Sequence, residues 1–394
     1  MITLSIRAKV IGLVLLGVAV VTSVVGASVA QAFARNKQTI ARQSLREAQA
    51  AYQGLVNGDV SKLGATGVTL LNSTALVQAF AERDRARLLQ EAERVYPQLV
   101  KEFGITHLNF ISPDRKIFLR MTKPQQYDDV VDRVTLRSAM DTGKLSAGLE
   151  LGKTGFVLRT VRPITTPTGT IGYLELGEEI GKFASRLKAQ TGFDLGVLLT
   201  KAGLNKADWT STRAALNLPD NWDARAAVVV AQSTMLNDDV LSYSAELTTL
   251  PSDGLVLEQV KSDQATHMRG IFPIADAAGK TAGAIVVLTD ITDLNRSVES
   301  AQKTSLLVTI ALGLLLSLTV WLLLDRLVFR RLSAMADHLE ELSLRVAGGD
   351  FDIEAGLEAD PRKDEIGRLE QFLAQFLALI GGTLKSLCGP GNQP

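Results

Sequence analysis

Between positions 120 and 162 the chain carries five basic side chains, Arg120, Lys123, Arg137, Arg159 and Arg162, set in or beside short apolar runs. A guanidinium grips a carboxylate through two parallel hydrogen bonds, so arginines spaced among strand-forming residues are the chemistry of an anion site. Arg120 and Arg159 are the strongest of the five, because apolar residues flank both. Tyr127 would add a contact at the rim, and Glu150 an acceptor for an ammonium group. The implied ligand is a small molecule, an anionic carboxylate such as an organic or amino acid. The competing arrangement is that each arginine pairs with a neighbouring acid, Glu150, Glu175, Asp128 or Asp132.

A second cluster, Gly348-Gly349-Asp350-Phe351, resembles the GGDEF hairpin of diguanylate cyclases. The resemblance fails on context. Such a cyclase needs a nucleotide-binding domain of well over a hundred residues, roughly, around its hairpin. Only 24 residues separate the preceding apolar run from Gly349, 43 follow Phe351, and the Glu between Asp and Phe is missing. His338 in "ADHLEEL" suggests a phosphoacceptor helix, yet no ATP-binding segment follows it. The totals exclude more. One cysteine, Cys388, cannot form an intrachain disulfide, and three scattered histidines, His107, His267 and His338, do not make a zinc centre. With 42 basic and 42 acidic residues the chain has no global field for nucleic acid. No catalytic constellation is legible, so a non-enzyme without cofactor or metal is expected.

Those side chains need elements to hold them. Val10 to Ala30 is 21 residues without a charge, and Leu306 to Leu324 is 19 more. Each crosses a hydrocarbon core about 30 Å thick. Arg7 and Lys9 before a small-x-small Ala30-Gln31-Ala32 also fit a cleaved signal peptide, but the length of the first run and the presence of a second favour an uncleaved anchor. Arg326, Arg330 and Arg331 follow the second run, which predicts both termini in the cytoplasm and two spans of an inner membrane, with Arg35 and Lys37 opposing slightly. The expected division is 1–9 cytoplasmic, 10–32 and 304–324 as spans, 33–303 outside, 325–384 a second cytoplasmic piece and 385–394 a tail.

The outer segment repeats itself. "GFVLRTVRPITTPTGTIGYLELG" (155–177) and "THMRGIFPIADAAGKTAGAIVVLTD" (266–290) align Arg159 with Arg269, Pro163-Ile164 with Pro273-Ile274, Gly169 with Gly279 and, after one inserted residue, Gly172 with Gly283. Each reads as strand, turn, strand, so two α+β modules with antiparallel sheets are expected, at about 93–200 and 201–293. Further strands are predicted at 106–112, 116–121 and 194–200. Residues 34 to 103 have helical composition, with a break expected near "VNGDVSKLGATG".

"FLRMTKPQQYDD", "SAGLELGKTGFVLRTVRPI", "GTIGYLELGEEI" and "LKAQTGFDLGVLL" resemble the double Cache sensor domains of bacterial transmembrane receptors, the Cache 3 type in particular, over Glu93 to Thr200. Thr122 stands where that type often has a His. The resemblance implies two PAS-like modules on a long stalk helix, with the membrane-distal module holding the ligand.

After the second span, Leu332, Met335, Leu339, Leu342 and Val346 repeat at 3, 4, 3, 4, and Ile366, Leu369, Leu373, Phe376, Ile380 and Leu384 form a second seam. Two such helices bury their seams in a homodimeric parallel four-helix bundle. The stretch resembles a HAMP domain, with Gly349, Asp350, Phe351 and Ile353 in the connector and Asp364-Glu365-Ile366-Gly367 opening the second helix; Arg331 replaces the proline common at the membrane exit. That resemblance implies a relay to a cytoplasmic signalling partner of the chemotaxis-transducer kind. No output domain follows, so the chain reads as a receptor acting on another protein or as part of a longer chemoreceptor, histidine kinase or cyclase.

Overall fold

The computed structural model describes residues 6–152, 155–235, 238–262, 265–348 and 364–388, in two compact units. The larger unit is Ala32–Val298. It starts on α1 (Ile6–Leu71), whose Leu45, Ala48, Tyr52, Leu63 and Leu70 are buried along one stripe. Each large apolar side chain buried there contributes about 1.5–3 kcal/mol. Three short helices follow, α2 (Thr74–Ala81), α3 (Arg85–Glu93) and α4 (Tyr96–Phe103).

The first sheet is built from β1 (His107–Ile111), β2 (Ile117–Arg120), β3 (Ser146–Leu151), β4 (Phe156–Thr166) and β5 (Gly169–Glu179), in the order β2-β1-β5-β4-β3, all antiparallel. The helix α5 (Val134–Thr142) lies between β2 and β3 in sequence. After α6 (Phe183–Thr191) the second module uses β6 (Asp194–Thr200), α7 (Lys206–Ala215), β7 (Val228–Ser233), β8 (Leu255–Ser262), β9 (Ala265–Ala275) and β10 (Thr281–Asp290), ordered β7-β6-β10-β9-β8. The two orders are the same, which is the duplication expected from the repeated hairpin.

The aligned glycines explain why that repeat is visible. Gly169 and Gly279 turn the two hairpins at φ 119° and 78°, a region that L side chains rarely adopt. A Cβ on Gly172 would lie 2.4 Å from the Ile111 carbonyl oxygen on β1, and one on Gly283 would lie 2.6 Å from that of Leu198 on β6. Each therefore lets the central strand of its sheet approach the neighbouring strand at the same point of the fold.

One expectation is corrected. The stalk does not break near residues 56–67; α1 runs unbroken to Leu71, and the chain turns at Asn72–Ser73. Glycine there serves close packing. A Cβ on Gly67 would meet Leu176 of β5 at 3.8 Å, one on Gly64 would meet Leu145 at 3.4 Å, and the buried Asp59 accepts from both Arg186 Nη atoms at 2.6 and 3.0 Å. Tertiary contact outweighs the helix-breaking tendency of these residues.

The smaller unit joins Met1–Gln31 to Glu299–Pro394. Its α1 portion and α8 (Thr292–Leu324) both carry stretches long and apolar enough to cross a membrane. One π-helical turn, Asp325–Phe329, leads into α9 (Arg330–Ala347), and α10 (Glu365–Cys388) follows. Asp364 caps α10 by accepting from the Gly367 N–H at 2.7 Å. Arg331, 9% exposed, donates to Asp364 at 2.9 Å and to Glu370 at 3.1 Å. Glu365 is exposed and Ile366 half-buried; Gly349, Asp350, Phe351 and Ile353 lie outside the described residues. Along α9, Met335 and Leu342 are buried, while Leu332 and Leu339 on α9 and Leu369 and Phe376 on α10 stay 38–49% exposed.

The glycine contacts set an expected outcome. Gly172→Ala or Gly283→Ala costs about 1–3 kcal/mol through backbone overlap and lowers the melting temperature by several degrees. Gly54→Ala, in helix with open space around it, leaves the melting temperature unchanged or slightly higher. Thermal unfolding followed by circular dichroism checks this, and equal behaviour of the three variants would contradict the strand approach.

Candidate functional site

Strand pairing decides which side chains meet. Asn109 of β1 sits opposite Glu175 of β5, Val161 of β4 opposite the other side of Glu175, and Gly148 of β3 opposite Arg159. Residues paired across neighbouring strands share a face. One face of the first sheet therefore presents Arg120, His107, Asn109, Glu175, Arg159 and Glu150, and α5 covers part of it through Leu136 and Ala139 packed with Ile111, Val161 and Tyr173. The opposite face, with Leu108, Phe110, Leu158, Leu174 and Leu176, joins the large apolar core with α1 to α4.

The centre of the polar face is a buried carboxylate. Glu175 has no solvent exposure and accepts from Arg133 Nη1 at 2.7 Å, from Arg159 Nη1 at 3.0 Å and from Asn109 Nδ2 at 2.6 Å. Burial by itself would raise the Glu175 pKa, but the Arg159 and Arg133 guanidiniums and the Asn109 hydrogen bond outweigh it and hold the carboxyl below its ordinary value. Burial lowers the pKa of Arg159, 6% exposed, with Glu175 as its largest compensating partner. Its Nε lies 3.5 Å from Glu150 Oε2, an ion contact without a hydrogen bond.

Glu150 has a second task. Its Oε1 accepts from the Thr135 N–H at 2.9 Å and from Thr135 Oγ1 at 2.8 Å, so a carboxylate on β3 satisfies an amide in the first turn of α5. Arg133, the residue preceding that helix, reaches Glu175 from the same end. The N-terminus of α5 is thus tied to the sheet by two acids. Beside them, His107 is held neutral: burial first, then the nearby Arg159, lower its pKa to about 4 against the pull of Glu175. Asn109 Oδ1 is buried without a hydrogen bond among the described residues.

The seven side chains expected to touch a ligand separate in space. Arg159 and Glu150 lie in the buried cluster. Arg120 borders it and pairs with the exposed Asp129 at 2.7 Å. Lys123 is exposed, and Tyr127, 48% exposed, lies under Arg85 at 4.0 Å from its ring centre. Arg137 is on α5 and pairs with Asp132 at 3.4 Å on the surface. Arg162 points to the other face, where a Cβ on Gly67 would lie 3.9 Å from its Nε, so it is not part of the cluster. Arg133 was missed by sequence reasoning, and Glu175 entered it only as a pairing acid. The available signal was an acid in the middle of the apolar run "GYLELG".

The second module lacks this cluster at the same positions. Val286 and Gly196 stand where Glu175 and Asn109 stand in the first, paired in the same way. Val286 belongs to an apolar core with Leu241 and Leu247, and Leu241 fills the space above Gly196. Arg269, the counterpart of Arg159, donates to the backbone carbonyls of Glu258, Val240 and Ser242.

The cluster fixes a pH response. Glu175→Ala leaves two guanidiniums without their buried anion and costs about 3–5 kcal/mol at pH 7. A lowered His pKa means stability complete above 6.5 and declining as pH falls towards 4; a lowered Glu pKa means stability present above 4.5 and lost below it. The melting temperature therefore falls in two stages on acidification, and His107→Gln flattens only the upper one. An unchanged upper stage in that variant would contradict the assignment.

No curated protein matches the chain. Among solved structures, the periplasmic domain of Vibrio cholerae LuxQ is similar at 12% identity and TM-score 0.37, covering 64% of this chain and 99% of that one. The ligand-binding domain of the Campylobacter jejuni chemoreceptor Tlp3, in complex with 4-methylisoleucine, is similar at 11% identity and TM-score 0.40, covering 67% and 96%. The E. coli DcuS sensor domain covers 35% and 97%, at 18% identity and TM-score 0.28. The family model for the double sensory domain of two-component sensor kinases, dCache_3, matches residues 41–293, the span of both duplicated modules and most of the stalk, and the chain belongs to that family.

Proposed function

We propose that this chain is a transmembrane receptor whose first module takes up a small carboxylate-bearing molecule, amino acids included, outside the membrane. The observation that carries the reading is the buried acid with its two guanidiniums in the first module, where the second has Val286 and Gly196 in place of the acid and the amide and one arginine satisfied by backbone carbonyls. A purely structural core has no need of it, since a buried ion pair is a weak source of stability compared with well-packed hydrocarbon.

The mechanism follows from the tether of α5. A ligand carboxylate enters past Arg120 and Lys123 and competes with Glu175 and Glu150 for Arg133. Asn109 Oδ1 offers an acceptor to a ligand N–H. Repartnering Arg133 changes how the N-terminus of α5 is held, and a ligand shifts this equilibrium by its differential affinity for the two arrangements. The signal's onward path runs through the two apolar helices as spans, with both termini in the cytoplasm, and a HAMP-type bundle formed by α9 and α10 of two chains. The half-exposed seam residues support the homodimer, because a lone chain leaves them in water. The bundle would pass its state to a cytoplasmic signalling partner.

Two experiments test this. With the full chain in lipid nanodiscs, a binding amino acid or organic acid at about a hundred times its Kd raises stability by about 2.7 kcal/mol. Arg120→Ala with Lys123→Ala, both near the surface and safe for folding, weakens that response; an undiminished response sinks the site. For the dimer, cysteine placed at Leu339 or Phe376 in a Cys388→Ser background cross-links chain to chain in membranes. Absence of cross-linking at both positions refutes the paired coil.

A further inference from the structure

Beside the charged cluster, but lined by none of its side chains, a cavity of about 280 Å³ opens where the two modules of the larger unit meet. Val157 of β4, Glu179 of β5 and Gly181 just beyond it come from the first module, and Trp209, Arg213 and Leu216 on and after α7 come from the second. Small-molecule sites favour such junctions.

Arg213 is the feature that needs an explanation. It is 8% exposed, and among the described residues the one hydrogen bond of its side chain runs from Nε to the Pro219 carbonyl at 2.9 Å. Its guanidinium carbon sits 5.7 Å from the Trp209 ring centre. No carboxylate among the described residues forms an ion pair with it; burial lowers its pKa, and Asp238 and Asp220 act on it only from a distance. A buried cation stacked on indole yet without an anion leaves fork donors for something else. The surroundings specify what. Leu216 is 63% exposed and Leu218 43%, an apolar mouth to the cavity. Glu179, the other charged group in the wall, is exposed and repels a second negative charge.

We infer that this cavity is a second ligand site, for a monocarboxylate with an apolar body, its carboxylate on Arg213 and its hydrocarbon against Trp209, Val157 and Leu216. Because both modules supply the wall, the bound molecule clamps their junction, and it does so independently of the cluster around Glu175.

The test uses the full chain in nanodiscs with sodium 4-methylpentanoate as probe, read by tryptophan fluorescence, since Trp209 is in the wall. A saturable change is expected, about tenfold weaker or more with the neutral 4-methylpentanamide and with succinate. Arg213→Gln weakens it to a similar degree. Gly181→Leu blocks it sterically while the protein stays folded, because a Cβ on Gly181 meets nothing within 4 Å. Arg120→Ala with Lys123→Ala leaves it unchanged. No saturable response, a response that survives Gly181→Leu, or one lost with Arg120→Ala and Lys123→Ala overturns the inference; the last outcome assigns the probe to the first module and leaves that module's role standing.

Discussion

A carboxylate with no access to water lies in the middle of a sheet, and two guanidiniums make that possible. Glu175 belongs to β5, the central strand of the first sheet, flanked by β1 and β4. Taking a carboxylate out of water costs several kcal/mol, roughly, unless charge and hydrogen bonds replace the hydration. Arg159 comes from the neighbouring strand and Arg133 from the approach to α5, so the same interaction that keeps Glu175 ionised fixes a helix against the sheet. Remove the acid and the two cations and the capped end of α5 lose their common anchor.

The duplicated module shows what the fold needs and what it does not. Both sheets share strand order, hairpin glycines and pairing register. In the second, Val286 and Gly196 replace the acid and the amide, Leu241 fills the gap, and the surviving arginine is satisfied by three carbonyls. The fold therefore closes on this face without a buried acid. The charged version is an addition to the architecture, placed in the first module, where Arg120 borders it and pairs with Asp129.

In the smaller unit the physics is different. α9 and α10 are held to each other by Arg331 with Asp364 and Glu370, while much of the apolar seam remains half-exposed. An ion pair of this kind fixes register more than it adds stability.

What the sequence determined by itself was whatever depends on local period. The two long apolar helices are legible because length and absence of charge are local properties, and the repeated hairpin because Gly169, Gly172, Gly279 and Gly283 answer to turn geometry and strand approach. The seam spacing on α9 and α10 reads directly as helix. Composition misled at Gly58 to Gly67, where packing of α1 on the sheet keeps the helix going. The partners of each charge were decided only by the tertiary structure. Arg159 and Arg162 are three residues apart on one strand and so face opposite ways, one into the cluster and one towards α1. Asn109 meets Glu175 across 66 residues of chain, and Arg133 meets it across 42. Pairing over such distances is set by sheet register, which no local pattern encodes.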